Sequence, residues 1–183
     1  MGQLVINDSS LINNGSRTFG AGIYNAGQLW VTNTTFSNNW PDGLYNGYGG
    51  AATLNHVTMA STGGLYNEAE MTLNNSIVDG DSPLDLCVNE GNLNRGVNLI
   101  SDGSCGATIS GAAMLDPVDL YGGPTPTARP QLSSPALDAA ADDDCEPLDQ
   151  RGVERPEFYC DLGAHERVEG IVFQNGFEGY RYW

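Results

Sequence analysis

The chain contains four cysteines that could form disulfide bonds: Cys87, Cys105, Cys145 and Cys160. Four cysteines allow three pairings. We predict that sequence neighbours pair, Cys87 with Cys105 and Cys145 with Cys160, and each closed loop would stabilise the fold by about 3 kcal/mol. A metal site is the alternative, but the chain has no Cys-x-x-Cys spacing and its two histidines are far apart in sequence. Two disulfides imply an oxidising compartment such as the periplasm, the cell surface or the medium.

Three tyrosines stand at a constant spacing of 21 residues: Tyr24, Tyr45 and Tyr66. Each lies in the same tetrapeptide, Gly, then Ile or Leu, then Tyr-Asn. If successive repeats stack, these rings form a ladder. An aromatic ring offers apolar area and a hydroxyl group, so such a ladder could contact carbohydrate. The alternative, which we favour, is stacking that only stabilises the repeats. The three tyrosines are our candidate ligand-binding residues.

Oxygen ligands for Ca²⁺ are concentrated in one short stretch of acidic residues: Asp142, Asp143, Asp144, Glu146 and Asp149. The stretch lacks the spacing of an EF-hand loop and of a glycine-rich Ca²⁺-binding repeat. A solvated acidic loop is therefore the favoured interpretation, with Ca²⁺ left open as a cofactor. The overlapping sequence Asp149-Gln150-Arg151-Gly152 is interpreted as structural, with Asp149 and Arg151 bonding backbone groups that fix the terminal segment.

A second repeated element lies between the tyrosine tetrapeptides and must position them. Its four copies cover residues 4–11, 29–36, 52–59 and 71–78. Each copy has apolar residues at its first, third and last positions, a period of two that is typical of a strand with one buried face. Polar residues that favour bends follow the third position, and one column there holds Asp8, Asn33, His56 and Asn75. Each copy is therefore read as strand, bend, strand, with His56 as a bend residue.

Three short strands in every 19–25 residues predict an all-β chain, a single-stranded parallel β-helix whose coils stack about 4.8 Å apart. A leucine-rich repeat is the alternative with a similar period. We assign coils to residues 1–105, an irregular, proline-rich capping segment that packs on or caps the helix to 106–166, and a tail to 167–183. The chain opens directly on a strand, so we expect further coils, and a signal peptide, upstream in the natural protein.

Catalysis would require acids or bases placed together. Residues 1–78 hold only four acidic residues and one arginine: Asp8, Asp42, Glu68, Glu70 and Arg17. No two copies of the repeat place carboxylates in the same column, and the chain contains no lysine. We therefore predict no catalytic residue in this segment, while an active site in upstream coils remains an alternative.

Charge narrows the possible partners. The formal net charge is −16, with 23 acidic residues against seven arginines. Nucleic acids and anionic lipid surfaces both require a basic footprint, so neither is an expected partner. The sequence has no apolar run long enough to span a membrane. Charged residues make up 16% and apolar residues 40%, which favours a folded, turn-rich protein.

The C-terminal motifs resemble the closing region of bacterial choice-of-anchor Q proteins. The motifs occur in the order Asp116-Pro117, Gly122-Gly-Pro-Thr125, Ser134-Pro-Ala-Leu-Asp138, Asp149-Gln-Arg-Gly152, Arg155-Pro156 and Cys160-Asp-Leu-Gly-Ala-His-Glu166. Members of that family also carry upstream repeats of the Gly-Ile-Tyr-Asn type, and the resemblance covers residues 4–166. It implies a right-handed parallel β-helix in a secreted or surface-exposed bacterial protein. Ala139-Ala140 departs from the family pattern, which usually has glycine there.

The tail sequence, residues 171–179, resembles the short Gly-Phe-Glu endings of some secreted proteobacterial proteins and lacks the apolar span and basic stop of a wall-sorting or membrane-anchored tail. Whether the tail anchors the protein is not predicted. Taken together, the sequence predicts an extracellular, non-catalytic β-helix module, an adhesin-like scaffold that binds carbohydrate or a surface protein. Two alternatives stay open. One is a polysaccharide lyase or glycosidase with its active site in missing coils, and the other is a purely structural stalk. The oligomeric state is not predicted.

Overall fold

The chain folds almost entirely into short parallel strands. The computed structural model describes residues 2–80 and 85–168, and the predicted tail motif at 171–179 lies outside them. About 40% of the described residues are strand and 4% are helical, the latter as two 3₁₀ turns at Ser104–Gly106 and Asp142–Asp144. The strands are β1 (Gln3–Asn7), β2 (Ser10–Ile12), β3 (Ile23–Asn25), β4 (Gln28–Ser37), β5 (Leu44–Asn46), β6 (Ala51–Ala60), β7 (Leu65–Asn67), β8 (Glu70–Asn74), β9 (Ser76–Asp79), β10 (Cys87–Asn89), β11 (Asn92–Arg95) and β12 (Asn98–Ile100).

Two parallel sheets run the length of a solenoid of about four turns. The long sheet pairs β1, β4, β6, β8 and β11 in that order, and β2, β9 and β12 extend it. The short sheet pairs β3, β5, β7 and β10. Each strand therefore pairs with the equivalent strand of the next coil. The predicted all-β parallel β-helix is confirmed.

Register brings the repeated apolar positions into vertical columns. Val31 pairs with Leu54 and Leu54 with Leu73, while Phe36 pairs with Met59 and Met59 with Val78. These six side chains are at most 1% exposed and form the interior of the solenoid. Burial of each stabilises the fold by about 1.5–3 kcal/mol. The period-two pattern of the sequence is thus the inner face of the long sheet.

The predicted bend column is confirmed by its backbone angles. Asp8, Asn33, His56 and Asn75 all have positive φ, between 45° and 50°. Asparagine and aspartate tolerate this left-handed conformation better than most residues, which explains their recurrence at this position. Each bend lets one long strand wrap around two sides of the core.

A ladder of mostly buried asparagines links each coil to the next by side-chain hydrogen bonds. The side-chain amide of Asn25 donates to Asn46, that of Asn46 to Asn67, and that of Asn67 to Asn89, each at 2.7 Å. Asn46 and Asn67 are fully buried. Their remaining hydrogen bonds go to backbone groups at the turn, for example from Asn46 to the carbonyl of Glu70 at 2.9 Å. Buried polar groups are tolerated here because they are partnered.

The C-terminal segment, defined here as residues 106–168, lies against the outer side of the long sheet. Gln150 reaches Thr35 of β4 at 2.6 Å and Ser10 of β2 at 3.0 Å, and Gly163 donates to the carbonyl of Asn75 at 2.7 Å. A second apolar cluster fills the junction: Ile77, Leu99, Ala113, Ala136 and Leu162. The segment therefore spans successive coils along the side of the solenoid.

Glycine is required where this segment comes closest to the sheet. Gly163 has φ of +83°, and a Cβ atom there would overlap Thr58 Oγ1 and the Ile77 side chain. The next residue, Ala164, donates its N–H to Thr58 Oγ1 at 2.8 Å. The Leu-Gly-Ala sequence thus forms the contact point of the segment with β6 and β9.

Two disulfides join the predicted cysteines. Cys87 bonds to Cys105 and Cys145 to Cys160, with Cα–Cα distances of 5.7 and 6.5 Å. The predicted pairing is confirmed. Such bridges are compatible with an extracellular location. Within the two described ranges, no helix is long and apolar enough to cross a membrane.

Candidate binding face

The three repeated tyrosines form a stack on the outer face of the short sheet. The rings of Tyr24 and Tyr45 lie 5.5 Å apart at 7°, and those of Tyr45 and Tyr66 lie 4.9 Å apart at 14°. The stack follows from register, since the three residues occupy paired positions in β3, β5 and β7. Val88 takes the same position in β10 and ends it. The predicted ring ladder is present.

The rungs of this ladder differ in exposure. Tyr24 is 58% exposed, whereas Tyr45 is only 6% exposed and Tyr66 is half-buried. Phe19 accounts for part of the difference, because its ring lies 4.6 Å from that of Tyr45. Phe19 is itself 52% exposed. The surface available to a ligand is thus Phe19 and Tyr24, supported from below by Tyr45 and Tyr66. These four rings are called the aromatic face.

Phe19 was not identified from the sequence, because it lies in a loop outside the repeats. The loop is held by Gly20, which has φ of +61° and donates its N–H to Asp42 Oδ2 at 3.2 Å. Partial burial raises the pKa of the Asp42 carboxyl above its usual value. One sequence feature points to the contact between Gly20 and Asp42. It is the turn Pro41-Asp42-Gly43, whose carboxylate can accept a hydrogen bond from a neighbouring loop.

The hydroxyl of each tyrosine points toward a residue of the next coil, and the type of that residue differs from coil to coil. Tyr24 places its hydroxyl over Gly47, where a side chain would collide with it. Glu68 and Glu90 occupy the equivalent positions of later coils, next to Tyr45 and Tyr66. Burial and the Glu68 carboxylate raise the pKa of Tyr45, and hydrogen bonding to Glu90 raises the pKa of Tyr66 to about 12.

The hydroxyl of Tyr24 therefore differs from the other two, because its neighbour in the next coil has no carboxylate. The raised pKa values of Tyr45 and Tyr66 keep both hydroxyls protonated at physiological pH. They contribute mainly to the rigidity of the stack. Tyr24 retains an open ring face and a hydroxyl that can bond a ligand.

A shallow cleft of about 500 Å³ lies on the outer face of the long sheet. Its lining is mostly small and polar, from β6, β8 and β11: Ala51, Thr53, Glu70, Thr72, Asn92 and Asn94. Glu70 accepts a hydrogen bond from the Asn92 amide at 2.6 Å. Trp30 pairs with Thr53 and is 37% exposed, which extends the cleft by one aromatic ring. This surface offers hydrogen bonds but only one carboxylate.

The structure places the other candidate residues as follows. Asp8 and His56 lie at bends, Asp42 bonds a loop, and Glu68 neighbours the tyrosine stack. Arg17 is exposed. The absence of catalytic residues stays a prediction.

The acidic stretch proposed for Ca²⁺ forms a 3₁₀ turn that holds the C-terminal segment against the solenoid. Asp142 Oδ1 accepts the N–H of Tyr159 at 3.0 Å. Asn55 donates to the carbonyl of Asp144 at 3.1 Å and to Glu146 Oε1 at 2.9 Å. These oxygens already accept protein hydrogen bonds, which suits a structural loop. Ca²⁺ binding stays a prediction.

Asp149 and Arg151 bond each other and the backbone, as the sequence suggested. Asp149 accepts from the N–H groups of Arg151 and Val153, at 2.8 and 3.0 Å, and of Glu166 at 3.0 Å. Arg151 donates to Asp149 at 2.7 Å and to the carbonyl of Tyr121 at 3.1 Å. The Asp-Gln-Arg-Gly sequence therefore organises the C-terminal segment.

No family model, curated protein or solved structure matches the chain. Function is therefore inferred from the geometry of the two outer faces. Of these, the aromatic face carries two half-exposed rings, Phe19 and Tyr24, beside polar groups, which is the combination that recognises sugars.

Proposed function

We propose that this protein is a non-catalytic binding module, an adhesin-like scaffold that presents the aromatic face to a carbohydrate outside the cell. The single observation that carries the proposal is the pair of half-exposed rings, Phe19 and Tyr24, on a rigid stack of two further tyrosines. Exposed aromatic rings that lie together on a structured element commonly mark a binding surface.

Rigidity supports this proposal. The rings of Tyr45 and Tyr66 are held by stacking, so Tyr24 rests on an ordered support. An ordered site loses little conformational freedom when a ligand binds. The solenoid also repeats the strand spacing of about 4.8 Å along its axis, which suits an extended polymer better than a compact ligand.

Charge narrows the class of carbohydrate. Asp42, Glu68 and Glu90 surround the stack, and each acts electrostatically on Tyr66. The chain as a whole carries a formal charge of −16. Polymers of uronic acids or sulfated sugars would be repelled, so the ligand is a neutral or amino-substituted glycan.

Location outside the cell is supported by two further features. Both cysteine pairs are disulfide-bonded, which is compatible with an oxidising extracellular compartment. The order of C-terminal motifs resembles that of choice-of-anchor Q proteins, which are secreted or surface-exposed. We therefore propose an extracellular or surface location in a bacterium, with the C-terminal segment stiffening the module.

The test is binding of the oxidised full chain to a panel of neutral, amino-substituted and acidic polysaccharides, with reducing ends measured in parallel. Retention on neutral or amino glycans without new reducing ends is the expected result. Tyr24→Ala and Phe19→Ala should each weaken retention about tenfold, because stacking on one ring contributes on the order of 1 kcal/mol or more. Tyr48→Ala is the matched control, since Tyr48 is 90% exposed and lies outside the stack.

Three outcomes would overturn the proposal. If Tyr24→Ala, Phe19→Ala and the control Tyr48→Ala were retained equally, the aromatic face would not be the binding site. New reducing ends would show an active site and favour the enzyme alternative. If no glycan retained the protein, a structural stalk or a protein partner would be favoured.

A further inference from the structure

The buried imidazole of His56 lies beside the Cys145–Cys160 disulfide, where β6 meets the C-terminal segment. Its Nε2 atom is 3.9 Å from Cys160 Sγ. One potential ligand atom from each of the three residues lies within 4.8 Å of the others. In a tetrahedral zinc site with Zn–N near 2.05 Å and Zn–S near 2.3 Å, the nitrogen and sulfur are separated by about 3.6 Å. The histidine and Cys160 therefore already lie within a few tenths of an ångström of a chelating distance.

The orientation of the imidazole also suits a metal ligand. Nδ1 faces the carbonyl of Gly163 at 3.2 Å and so acts as the hydrogen-bond donor. Nε2 then carries the lone pair and faces the sulfur. Imidazoles that bind zinc are commonly oriented in this way, by donating the other ring N–H to a carbonyl or carboxylate. Asn75 lies 3.4 Å from Nε2, but its amide has a second acceptor in the carbonyl of Ala141 at 3.3 Å.

The two sulfurs are bonded to each other in the oxidised protein, so they are available only after reduction. Cys160 is fully buried, whereas Cys145 is half-buried and lies in the loop that follows the 3₁₀ turn. The partial exposure of Cys145 gives a reductant a route to the bridge, and the loop allows the two sulfurs to separate to the distance that a metal requires.

We propose that the reduced protein binds one zinc ion through His56, Cys145 and Cys160, and that formation of the disulfide excludes the ion. A phosphine reductant opens the bridge: the phosphorus takes an oxygen atom from water, and two electrons and two protons convert the bridge into two thiols. Zinc then displaces both thiol protons into solvent, and a water molecule fills the fourth position. Oxidation of the two thiolates by a disulfide oxidant releases the ion.

The site does not depend on the carbohydrate proposal, because it lies on the long-sheet side of the solenoid, under the C-terminal segment. Its role would be to keep two cysteines together and unreactive until the bridge forms. A metal ion bound at the native pair favours the native pairing over the two alternatives that four cysteines allow.

The experiment titrates Zn²⁺ into the full chain under anaerobic, phosphine-reduced conditions, with a competing chromophoric chelator. One tightly bound ion per chain is expected in the variant Cys87→Ala/Cys105→Ala, and none in Cys145→Ala/Cys160→Ala. These variants are matched, because each retains one native pair, and Cys87 and Cys105 belong to no such three-residue group within the described residues. Co²⁺ in place of Zn²⁺ should give the visible absorption of tetrahedral thiolate coordination in the first variant only.

His56→Asn tests the histidine without disturbing the bend, because asparagine already occupies this position with positive φ at Asn33 and Asn75. Its affinity for Zn²⁺ should fall about 100-fold, the share of one ligand in a structural zinc site. In the parent chain, Zn²⁺ should slow alkylation of Cys145 and Cys160 at least tenfold.

Either of two results would overturn the proposal. One is equal zinc affinity of the two double-cysteine variants, and the other is undiminished affinity in His56→Asn. If the reduced chain loses its fold, alkylation at Cys145 and Cys160 that zinc does not slow would also overturn it.

Discussion

The solenoid and the C-terminal segment are stabilised by different kinds of buried polar group. In the coils, the buried polar side chains are neutral, mainly Asn, Thr and Ser. In the C-terminal segment, four buried side chains belong to ionisable acidic or arginine residues, Asp149, Arg155, Asp161 and Glu166, and within the described residues the segment holds all such cases. Most buried polar groups in both regions are hydrogen-bonded, although Arg155 Nε and His165 Nδ1 have no partner. Within the described residues, only the C-terminal segment uses ion pairs.

Repetition explains this difference. A parallel solenoid places each residue type next to its own copy in the following coil, about 4.8 Å away. An amide can donate to and accept from an identical amide, as the Asn25–Asn46–Asn67 ladder does. A column of like charges would repel itself. The C-terminal segment does not repeat, so its charges can each face an opposite partner.

Removal of the Arg155 guanidinium should give the largest effect that separates the two regions. Arg155 donates to Glu166 at 2.8 Å, to the carbonyl of Gly163 at 2.8 Å and to Asn33 at 3.3 Å. Arg155→Met should cost about 3–5 kcal/mol, because it breaks a buried pair and leaves Glu166, the Gly163 carbonyl and Asn33 without this donor. Urea unfolding measures this loss. The control Arg129→Met removes a partly exposed pair with Asp116 and should cost less than about 1 kcal/mol. Equal costs would contradict the comparison.

The two disulfides test each region separately. Cys145→Ala/Cys160→Ala and Cys87→Ala/Cys105→Ala open loops of similar length, 15 and 18 residues in separation, so each should cost about 3 kcal/mol. Hydrogen exchange should distinguish them. The first variant should lose amide protection in the C-terminal segment, and the second around β10. Loss of protection in the same residues for both variants would show that the regions unfold as one unit.

Substitution within the asparagine ladder tests the coils. Asn46→Ala should cost about 1–3 kcal/mol, because it leaves the Asn25 amide and the Asn67 oxygen with one partner fewer in a buried site. Thermal unfolding measures the loss. Asn89 lies at the exposed end of the same ladder, so Asn89→Ala is the matched control and should cost less. If Asn46→Ala and Asn89→Ala lost the same amount of stability, burial would not be what makes the ladder stabilising.

The pH dependence of stability tests single buried groups, one in each region, and its effect is smallest near neutral pH. Burial lowers the pKa of His56 from 6.5 to about 3, so the unfolded chain binds a proton that the folded chain does not between pH 6.5 and 3. Stability should therefore fall as the pH decreases through this range. His56→Asn should flatten the fall by up to about 1.4 kcal/mol per pH unit, measured by urea unfolding at several pH values.

Glu166→Gln provides a control of opposite sign. Burial raises the pKa of Glu166 from 4.5 to about 7, so the folded chain retains a proton that the unfolded chain has lost between these values. This group makes stability fall as the pH rises from 4.5 to 7, and its removal should flatten that slope. Identical pH profiles for the parent and both variants would contradict the assignment of these two groups.

The coils could be predicted from the sequence because repetition makes each structural feature visible several times. The period of two identified the inner face, and the column of Asp8, Asn33, His56 and Asn75 identified the bends. The constant spacing of the tyrosines predicted their stack. The binding face itself was predicted only in part, because exposure depends on neighbours. Phe19 covers Tyr45 from a loop that no repeat describes.

The sequence by itself determined the parallel solenoid, its register and the pairing of its cysteines, since these depend on short separations and on repeated side chains. Tertiary structure alone decided which faces remain open. The position of the C-terminal segment along the side of the long sheet, the burial of Arg155 and Glu166, and the approach of Cys160 to His56 all depend on contacts between residues 11 to 122 positions apart. Such contacts occur once each, and a pattern that occurs once in a sequence has no periodicity by which it can be recognised.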